Sequence, residues 1–527
     1  MQNAKDGEVK MSGLRKVAKS ASLIVGLSLI GKVSGFLREA LMASKFGVSL
    51  EADTYIIAIT ATAFVVSMIS HSLNSTLIPV LSSIEEACGK KRKIEYINNI
   101  TNILVVFSLV IIAISWCFSP LIIKLFAQGF VGEQFQLAVR LNRMALPIIM
   151  FIILTSIFSG FLQSEKKFAA PSSIGISLNL VFIFYFIFMG NKFGLVGLVV
   201  ATIIAYLSQV FVQIPSLIKN GYKYKPIFNL KDQYVNKTIR LSIPVMIALA
   251  AQQINVITEK TMSSTLVEGS IAALSYAAKT SLIFTEIFVV SITTVIFPIL
   301  TESFNKNGIE ALKKVMIDGS KLIALITIPA SVGMVVLSGP IIRLIFERGA
   351  FDSSATSMTS QAFMLYSVAT LFIGFERLLQ SVYYSLEDTK TPMVCGILQV
   401  GTNILFNFLL VKSMSHRGFA LSTTIGHGIA FLVLYYMLNK KIGSLGLKKN
   451  GTYFLKISIA SFLMGVIVNK MYNYLCIYSN MLKINETISL VFSVFLGGIL
   501  YAAICWVLKV KEINTLYTIF KKKLRMG

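Results

Sequence analysis

The sequence predicts an all-α polytopic membrane protein of about fourteen transmembrane helices, built as two six-helix repeats plus two C-terminal helices. Three observations predict it. Of 527 residues, 55% are hydrophobic and only 14% charged, apolar stretches of roughly 20 to 28 residues recur from end to end, and landmarks of the first half return in the second. A soluble protein carries about 25% charged residues, and about 20 apolar residues cross the hydrocarbon core as a helix. No window reads as a soluble core with a polar surface, which excludes a cytosolic multidomain enzyme.

In order, the spans fall near 20–43, 53–81, 98–123, 138–162, 171–189, 194–218, 238–262, 271–299, 318–338, 358–385, 392–411, 418–438, 454–474 and 487–508. Lys5, Lys10, Arg15, Lys16 and Lys19 precede the first. No small-residue cleavage site follows it, so it reads as a retained helix and not a signal peptide. The first, seventh and eighth spans are the least apolar, which suits helices that line a polar cavity.

Lysine and arginine total 49 against 24 acidic residues, a formal charge of +25. Their distribution decides what that charge means. Dense groups stand at Lys90 to Lys93, Lys166 and Lys167, Lys219 to Lys237, Lys306 to Lys314, Lys440 to Lys449 and Lys521 to Arg525, while alternate loops carry isolated charges such as Lys45, Lys192 and Lys412. With fourteen spans every dense group falls on one side, as the positive-inside rule requires, so both termini are expected in the cytoplasm. A nucleic-acid partner is excluded, because no single basic stripe with interleaved aromatics exists. Cys88, Cys117, Cys395, Cys476 and Cys505 have neither metal nor redox spacing and read as apolar fillers.

The repeat is read from IPVL at 78–81 and SPLIIKLFAQGF at 119–130, echoed by FPIL at 297–300 and GPIIRLIFERGAF at 339–351. Pro79 matches Pro298, Pro120 matches Pro340, Gly129 matches Gly349 and Pro171 matches Pro392, and the series extends to Gly194 and Gly418. The resulting divisions are 1–222, 223–440 and 441–527, the last holding two further helices and a basic cytoplasmic tail. Six is even, so the repeats keep one orientation and are related by an axis along the membrane normal, with a cavity expected between them. The last two spans read either as lipid-facing packing or as a groove for a lipid tail.

Charges inside spans are costly and mark protein-facing or solvated positions. Lys32 and Arg38 lie six residues apart in the first span, about 9 Å of rise and about 600° of rotation, so they border a cavity at different depths. Asp53 opens the second span, and Lys279 and Glu286 stand seven residues apart in the eighth. Glu376 and Arg377 are adjacent in the tenth and point about 100° apart, so they need different partners. Excess fixed positive charge in a wide cavity suits a multivalent anion such as a diphosphate. Other roles stay open: Arg38 snorkelling or pairing with Glu39 or Asp53, Asp53 capping its helix or serving a gate, and structural pairing of Lys32 and Lys279. Gln252, Gln253 and Asn255 form a polar turn suited to helix association, and His71 sits at a polar break suited to packing. His416 and His427 have no metal constellation, and no strand, Walker lysine and hydroxyl frame the glycines, so no cofactor and no catalytic chemistry are expected.

SGFLREALMASKFGVSLEADTY at 34–55, AQGF at 127–130, FERGAFD at 346–352 and YSLEDTKTP at 384–392 resemble the MurJ (MviN) lipid II flippase family of the multidrug/oligosaccharidyl-lipid/polysaccharide exporter superfamily. The resemblance covers essentially the whole chain. It implies a bacterial inner-membrane protein that carries an undecaprenyl-diphosphate-linked peptidoglycan precursor to the outer leaflet by alternating access, for cell-wall biogenesis and cell shape. It implies lipid II, membrane lipids and cell-wall synthesis proteins as partners, and substrate-binding roles for Lys32, Arg38 and Lys279; Arg377, read from its place inside a span, is expected to join them. Asp53, Glu286 and Glu376 would gate or form ion pairs. Coupling to membrane potential or to an ion is left open. A basic pair common in the family's second span falls on Val66 and Ser67, a following acidic position on His71, and an acidic position of the eighth span near Leu282, where Glu286 stands one turn later. A flippase for another polyprenyl-diphosphate-linked glycan and a non-transporting envelope scaffold are the alternative functions.

Overall fold

A computed structural model describes residues 2–445, 450–482, 486–510 and 512. Lys448, Lys449 and the basic tail from Lys521 to Arg525 lie outside the described residues. The described elements are helical throughout, which is the all-α, multi-pass architecture expected where hydrocarbon leaves backbone groups no water to bond. The chain divides into two compact units, Met1–Ile271 and Ala272–Gly527.

The first unit runs α1 (Gln2–Phe46), α2 (Leu50–Phe126), α3 (Gly132–Ala145), α4 (Ile148–Ser164), α5 (Ala169–Phe184), a π-helical turn (Tyr185–Met189), α6 (Gly190–Lys219) and α7 (Gln233–Ser263). Two of these contain breaks: Gly89 splits α2 at φ 76°, and Gly194 interrupts α6 at φ 49°. The core lies where α2 packs on α4, with Leu77, Leu81, Ile84, Ile153, Ile157 and Phe161 buried. Lipid tails are as apolar as these side chains, so close packing and interhelical hydrogen bonds hold the helices, the latter at about 0.6 kcal/mol each. Ser70 bonds Ser156 at 2.6 Å, Tyr96 bonds Thr238 at 2.6 Å, Tyr55 bonds Thr202 at 2.8 Å, and Asn142 donates to Thr62 at 2.8 Å.

The second unit runs α8 (Ser270–Thr285, its first two residues at the boundary), a π-helical turn (Glu286–Val290), α9 (Ser291–Val336, broken at Gly308), α10 (Ser338–Phe346), α11 (Ser353–Ser385), α12 (Lys390–Met414) and α13 (His416–Ile442). The final pair is α14 (Gly451–Leu482) and α15 (Glu486–Val507). Ile296, Leu300, Ile323, Leu378, Val382 and Leu434 form its core. The final pair attaches through two smaller clusters, Leu325 with Ile457, Ala460 and Cys505, and Leu337 with Met464, Val468 and Leu490.

Among the described residues ten helical segments are long and apolar enough to cross a membrane, against the fourteen spans read from hydropathy. Three of the four differences arise where helices continue through a connection instead of ending: Val66–Phe126, Ala169–Lys219 and Ser270–Val336 each unite two expected spans in 61, 51 and 67 residues; the fourth is the first span, in α1. Backbone conformations recur at a similar spacing, at positions that, Gly194 apart, are not the landmarks of the sequence repeat. Left-handed φ values stand at Gly47 and Gly269, Gly89 and Gly308, Lys166 and Glu387, Gly194 and Ser415, and Gly221 and Gly443, pairs separated by 219 to 222 residues. The conformational partner of Gly194 is thus Ser415, and Gly418 falls instead opposite Gly197.

Candidate functional site

The cations of the first span differ in setting. Asn179 of α5 donates to the Gly31 carbonyl at 2.9 Å and to Ser34 at 3.1 Å, which fixes the rotation of α1. Lys32 is exposed, whereas Arg38 is half-buried with its guanidinium 5.3 Å from the Phe182 ring centre. Arg38 donates to Glu39 at 2.6 Å, and that carboxylate is 6% exposed. The arginine is therefore held by an acid on one side and an aromatic face on another, a geometry that keeps part of its planar fork available.

Asp53 lies one turn into α2. The side-chain cap of that helix is Ser49, which accepts from Ala52 N–H at 3.2 Å, so the capping role considered for Asp53 belongs to Ser49. Asp53 is 4% exposed and accepts instead from Gly269 N–H at 2.8 Å, and Glu268 accepts from Leu50 N–H at 2.9 Å. Gly269 has φ +84°, and a Cβ there would stand 2.3 Å from Val48 Cγ1. Only glycine allows this turn to close on the start of α2. A buried charge-assisted hydrogen bond of this kind contributes about 1.5–3 kcal/mol. Sequence reading missed the contact because its ends lie 216 residues apart; the available signal was the glycine at matching places in two helix connections, Gly47 and Gly269.

In the second unit Lys279 and Glu286 are both half-buried, but α8 ends at Thr285 and Glu286 opens a π-helical turn. Extrapolating an α-helical face from Lys279 to Glu286 therefore holds only to the last residue. Glu376 is 7% exposed; one oxygen accepts from Gln380 at 2.9 Å and the other meets His427 Nδ1 at 2.7 Å. Arg377, next to it, is exposed. The adjacent pair takes different environments, as its 100° offset requires. The His427 contact was not foreseen, because hydropathy alone does not fix the rotation of α13 against α11.

Val66 is fully buried in the packed core, Ser67 accepts from Gln253 at 3.3 Å, and His71 and Leu282 are exposed. Among the described residues no group of three or more His, Cys, Asp or Glu could hold a metal. Ion pairs gather outside the spans. Lys93 is fully buried and bonds Glu85 at 2.7 Å and Glu165 at 2.6 Å, while Lys90 reaches Glu165 at 2.7 Å. Burial pushes the Glu165 carboxyl up, but these two ammonium groups outweigh it and hold the carboxyl below its usual range. The Lys441 ammonium, 2.5 Å away, and Thr391 hold Asp388 at about 2. An apolar groove of about 770 Å³ also opens in the second unit, lined by Pro329, Met334, Met464, Val494 and Phe495 among others, where α14 and α15 meet α9 and α10.

The family model described as lipid II flippase MurJ matches residues 42–476. The probable lipid II flippase MurJ of Buchnera aphidicola subsp. Acyrthosiphon pisum is 29% identical over 498 residues, covering 93% of this chain and 97% of that protein. The corresponding protein of Rickettsia prowazekii is 28% identical over 501 residues, covering 93% and 98%. A solved lipid II flippase MurJ in an inward closed conformation has a TM-score of 0.77 at 27% identity, over 92% of this chain and 98% of that chain. An inward-facing multidrug-resistance transporter of the MATE family has a TM-score of 0.65 over 81% and 98%; at 15% identity it shows a shared fold alone.

Proposed function

The chain belongs to the lipid II flippase MurJ family, and from that membership we propose that it moves an undecaprenyl-diphosphate-linked peptidoglycan precursor from the cytoplasmic to the outer leaflet of the bacterial inner membrane. It is a transporter without covalent chemistry, so the diphosphate stays intact. The observation that carries the reading is likeness to a solved MurJ over 92% of the chain, with charges standing inside the spans of both units.

The topology we infer has fourteen crossings and cytoplasmic termini. Segments of 61, 51 and 67 residues correspond to about 92, 77 and 100 Å of helix, more than twice the hydrocarbon thickness, which supports two crossings in each. With α1 as a further crossing, the ten segments become fourteen. The five pairs of left-handed residues support division into repeats at 1–222 and 223–440, with 441–527 added.

In this reading Lys32, Arg38, Lys279 and Arg377 bind the diphosphate headgroup in turn, and Asp53, Glu286 and Glu376 serve gates or ion pairs. Alternating access exposes the headgroup first to the cytoplasm and then outside, and its interactions must favour interconversion without trapping either state. The apolar groove beside α14 and α15 suits the polyprenyl tail. Membrane potential supplies about 2.3 kcal/mol per elementary charge moved through 100 mV, enough to bias the cycle if charge moves.

A second reading, a flippase for another polyprenyl-diphosphate-linked glycan, is favoured by Val66, whose full burial removes a family basic position from contact with any headgroup. Reconstitution into liposomes with lipid II, and in parallel with a different polyprenyl-diphosphate glycan, tests both. Outward movement of lipid II alone supports the first reading; movement of only the other glycan overturns it, and movement of neither would leave an envelope scaffold.

A further inference from the structure

Two arginines at one end of a helix hairpin in the first unit have no acid to answer them among the described residues. Arg140 and Arg143 lie three residues apart on α3, and both border a recess of about 480 Å³ with Gln136, Trp116, Pro120 and Phe135. Arg143 is already positioned: its Nε donates to the Trp116 carbonyl at 3.2 Å, and its guanidinium lies 5.5 Å from the Trp116 ring centre. The remaining N–H groups of its fork stay open to a ligand. Arg140 is exposed and makes no hydrogen bond or ion pair among the described residues. No carboxylate lines the recess.

The repeat shows what a face of this kind requires. At a separation of 220 or 221 residues, Arg140 falls on Ser360 or Gln361 and Arg143 on Phe363 or Met364, none of them charged. Pro340, the counterpart of Pro120, is half-buried and shares a polar recess with Tyr472, Glu486 and Leu490 of the two added helices, where Arg343 reaches Glu486 at 3.4 Å. In the first unit the counterpart face stays open, with Trp116 52% exposed and two cations beside it. In the fourteen-crossing topology this end faces outside, where basic residues are sparse and a fixed cation pair stands out.

We propose that this recess is a binding site for an anionic phospholipid. The lipid phosphate sits on Arg140 and Arg143, whose forks match its oxygens, and Gln136 adds an amide donor. Trp116, Pro120 and Phe135 receive the glycerol and the first methylenes, at the depth where an indole favours the interface. A zwitterionic lipid brings its own cation to the arginines and binds less well. The volume suits a glycerophosphate head and not a substituted disaccharide. The site uses none of the residues assigned to the transported headgroup, so it goes beyond the transport reading and stands or falls separately.

Trp116 reports on its own site, since the chain has only two tryptophans. In a Trp506→Phe protein reconstituted in phosphatidylcholine bilayers, emission from Trp116 is quenched by adding lipids brominated on the acyl chain. Brominated phosphatidylglycerol is expected to quench at about ten-fold lower mole fraction than brominated phosphatidylcholine, two arginines each favouring an anionic surface. Adding R140Q and R143Q should bring the two lipids together, while R140K with R143K should keep most of the preference. Equal quenching before mutation, or an unchanged preference after charge removal, overturns the proposal. Displacement of phosphatidylglycerol by equimolar lipid II also overturns it, because the recess would then belong to the transported lipid.

Discussion

Gly194 and Ser415, 221 residues apart, hold nearly the same backbone conformation: φ 49° and ψ −141° at the glycine, φ 53° and ψ −140° at the serine. Both stand at the tight connection that turns one helix into the next. A Cβ at Gly194 would meet nothing within 4 Å, so space does not demand glycine there. The conformation itself does, and strain of this type costs about 1–3 kcal/mol in a non-glycine residue. Ser415→Gly is therefore expected to stabilise the protein by about 1 kcal/mol after the added unfolded-chain entropy is subtracted. Gly194→Ser should destabilise it by a similar amount, and thermal unfolding in one detergent would read the opposite signs. Equal shifts in one direction would mean that the matching angles carry no matching strain.

Asp53 separates two roles that a single deletion would confuse. Asp53→Asn keeps an oxygen for Gly269 N–H but removes the charge, whereas Asp53→Ala leaves that buried donor unanswered. The alanine variant is expected to lose about 1–3 kcal/mol of stability and the asparagine variant less than 1. If Asp53 serves a gate through its charge, both variants lose most outward lipid movement in reconstituted vesicles. Retained transport in the asparagine variant would reduce Asp53 to a clasp for the turn at Gly269.

Costly features were legible in sequence, and features set by helix rotation were not. Lys32, Arg38, Lys279 and Arg377 stood out because a cation in an apolar run needs a reason to be there. Their neighbours did not: the Phe182 face under Arg38, the Gly269 amide on Asp53 and the His427 ring on Glu376 depend on which faces of distant helices meet. Hydropathy found the apolar segments of an all-α multi-pass fold but not the continuity of helix through Gly89, Gly194 and Gly308, since a single left-handed residue turns the chain without ending helical hydrogen bonding nearby. Arg140 and Arg143 did not stand out, because they sit at the start of the span at 138–162, where a long cationic side chain reaches the interface at little cost.

Asp388 gives a pH signature. Its folded carboxyl sits at about 2, below its ordinary value of 3.8, chiefly through the hydrogen bond from Lys441. A depressed carboxyl contributes stability that is complete above the unfolded value and is lost as pH falls through the folded one. The window is therefore from about pH 4 down to about pH 2. Lys441→Met should unfold at lower temperature than the parent at pH 6, with the gap closing across that window. Because Lys441 is 45% exposed, screening by salt should narrow the gap at pH 6 as well. A gap independent of both pH and salt would assign the loss to the contact of the lysine with Tyr383, over whose ring its ammonium lies.

Arg38 is shared between Glu39 and an incoming diphosphate, and the balance sets whether the headgroup is captured and then released. The existing bond to Glu39 is short, 2.6 Å, and half-buried, so the carboxylate is a genuine competitor for the guanidinium. Arg38→Ala removes the cation; lipid-linked diphosphate binding should weaken about ten-fold and outward movement should fall at least as far, at equal protein abundance. Glu39→Gln removes the competitor and should act in the opposite sense on affinity, tightening binding several-fold. Tighter capture in one state is not faster transport, because release then needs more free energy than the second state returns. Movement in the glutamine variant is thus expected to slow while binding improves. Both quantities can be read on the same vesicles, by retention of a labelled lipid-linked diphosphate and by its appearance in the outer leaflet. Faster movement with tighter binding would show that headgroup capture limits the cycle, and unchanged values in both variants would remove Arg38 from the headgroup's path.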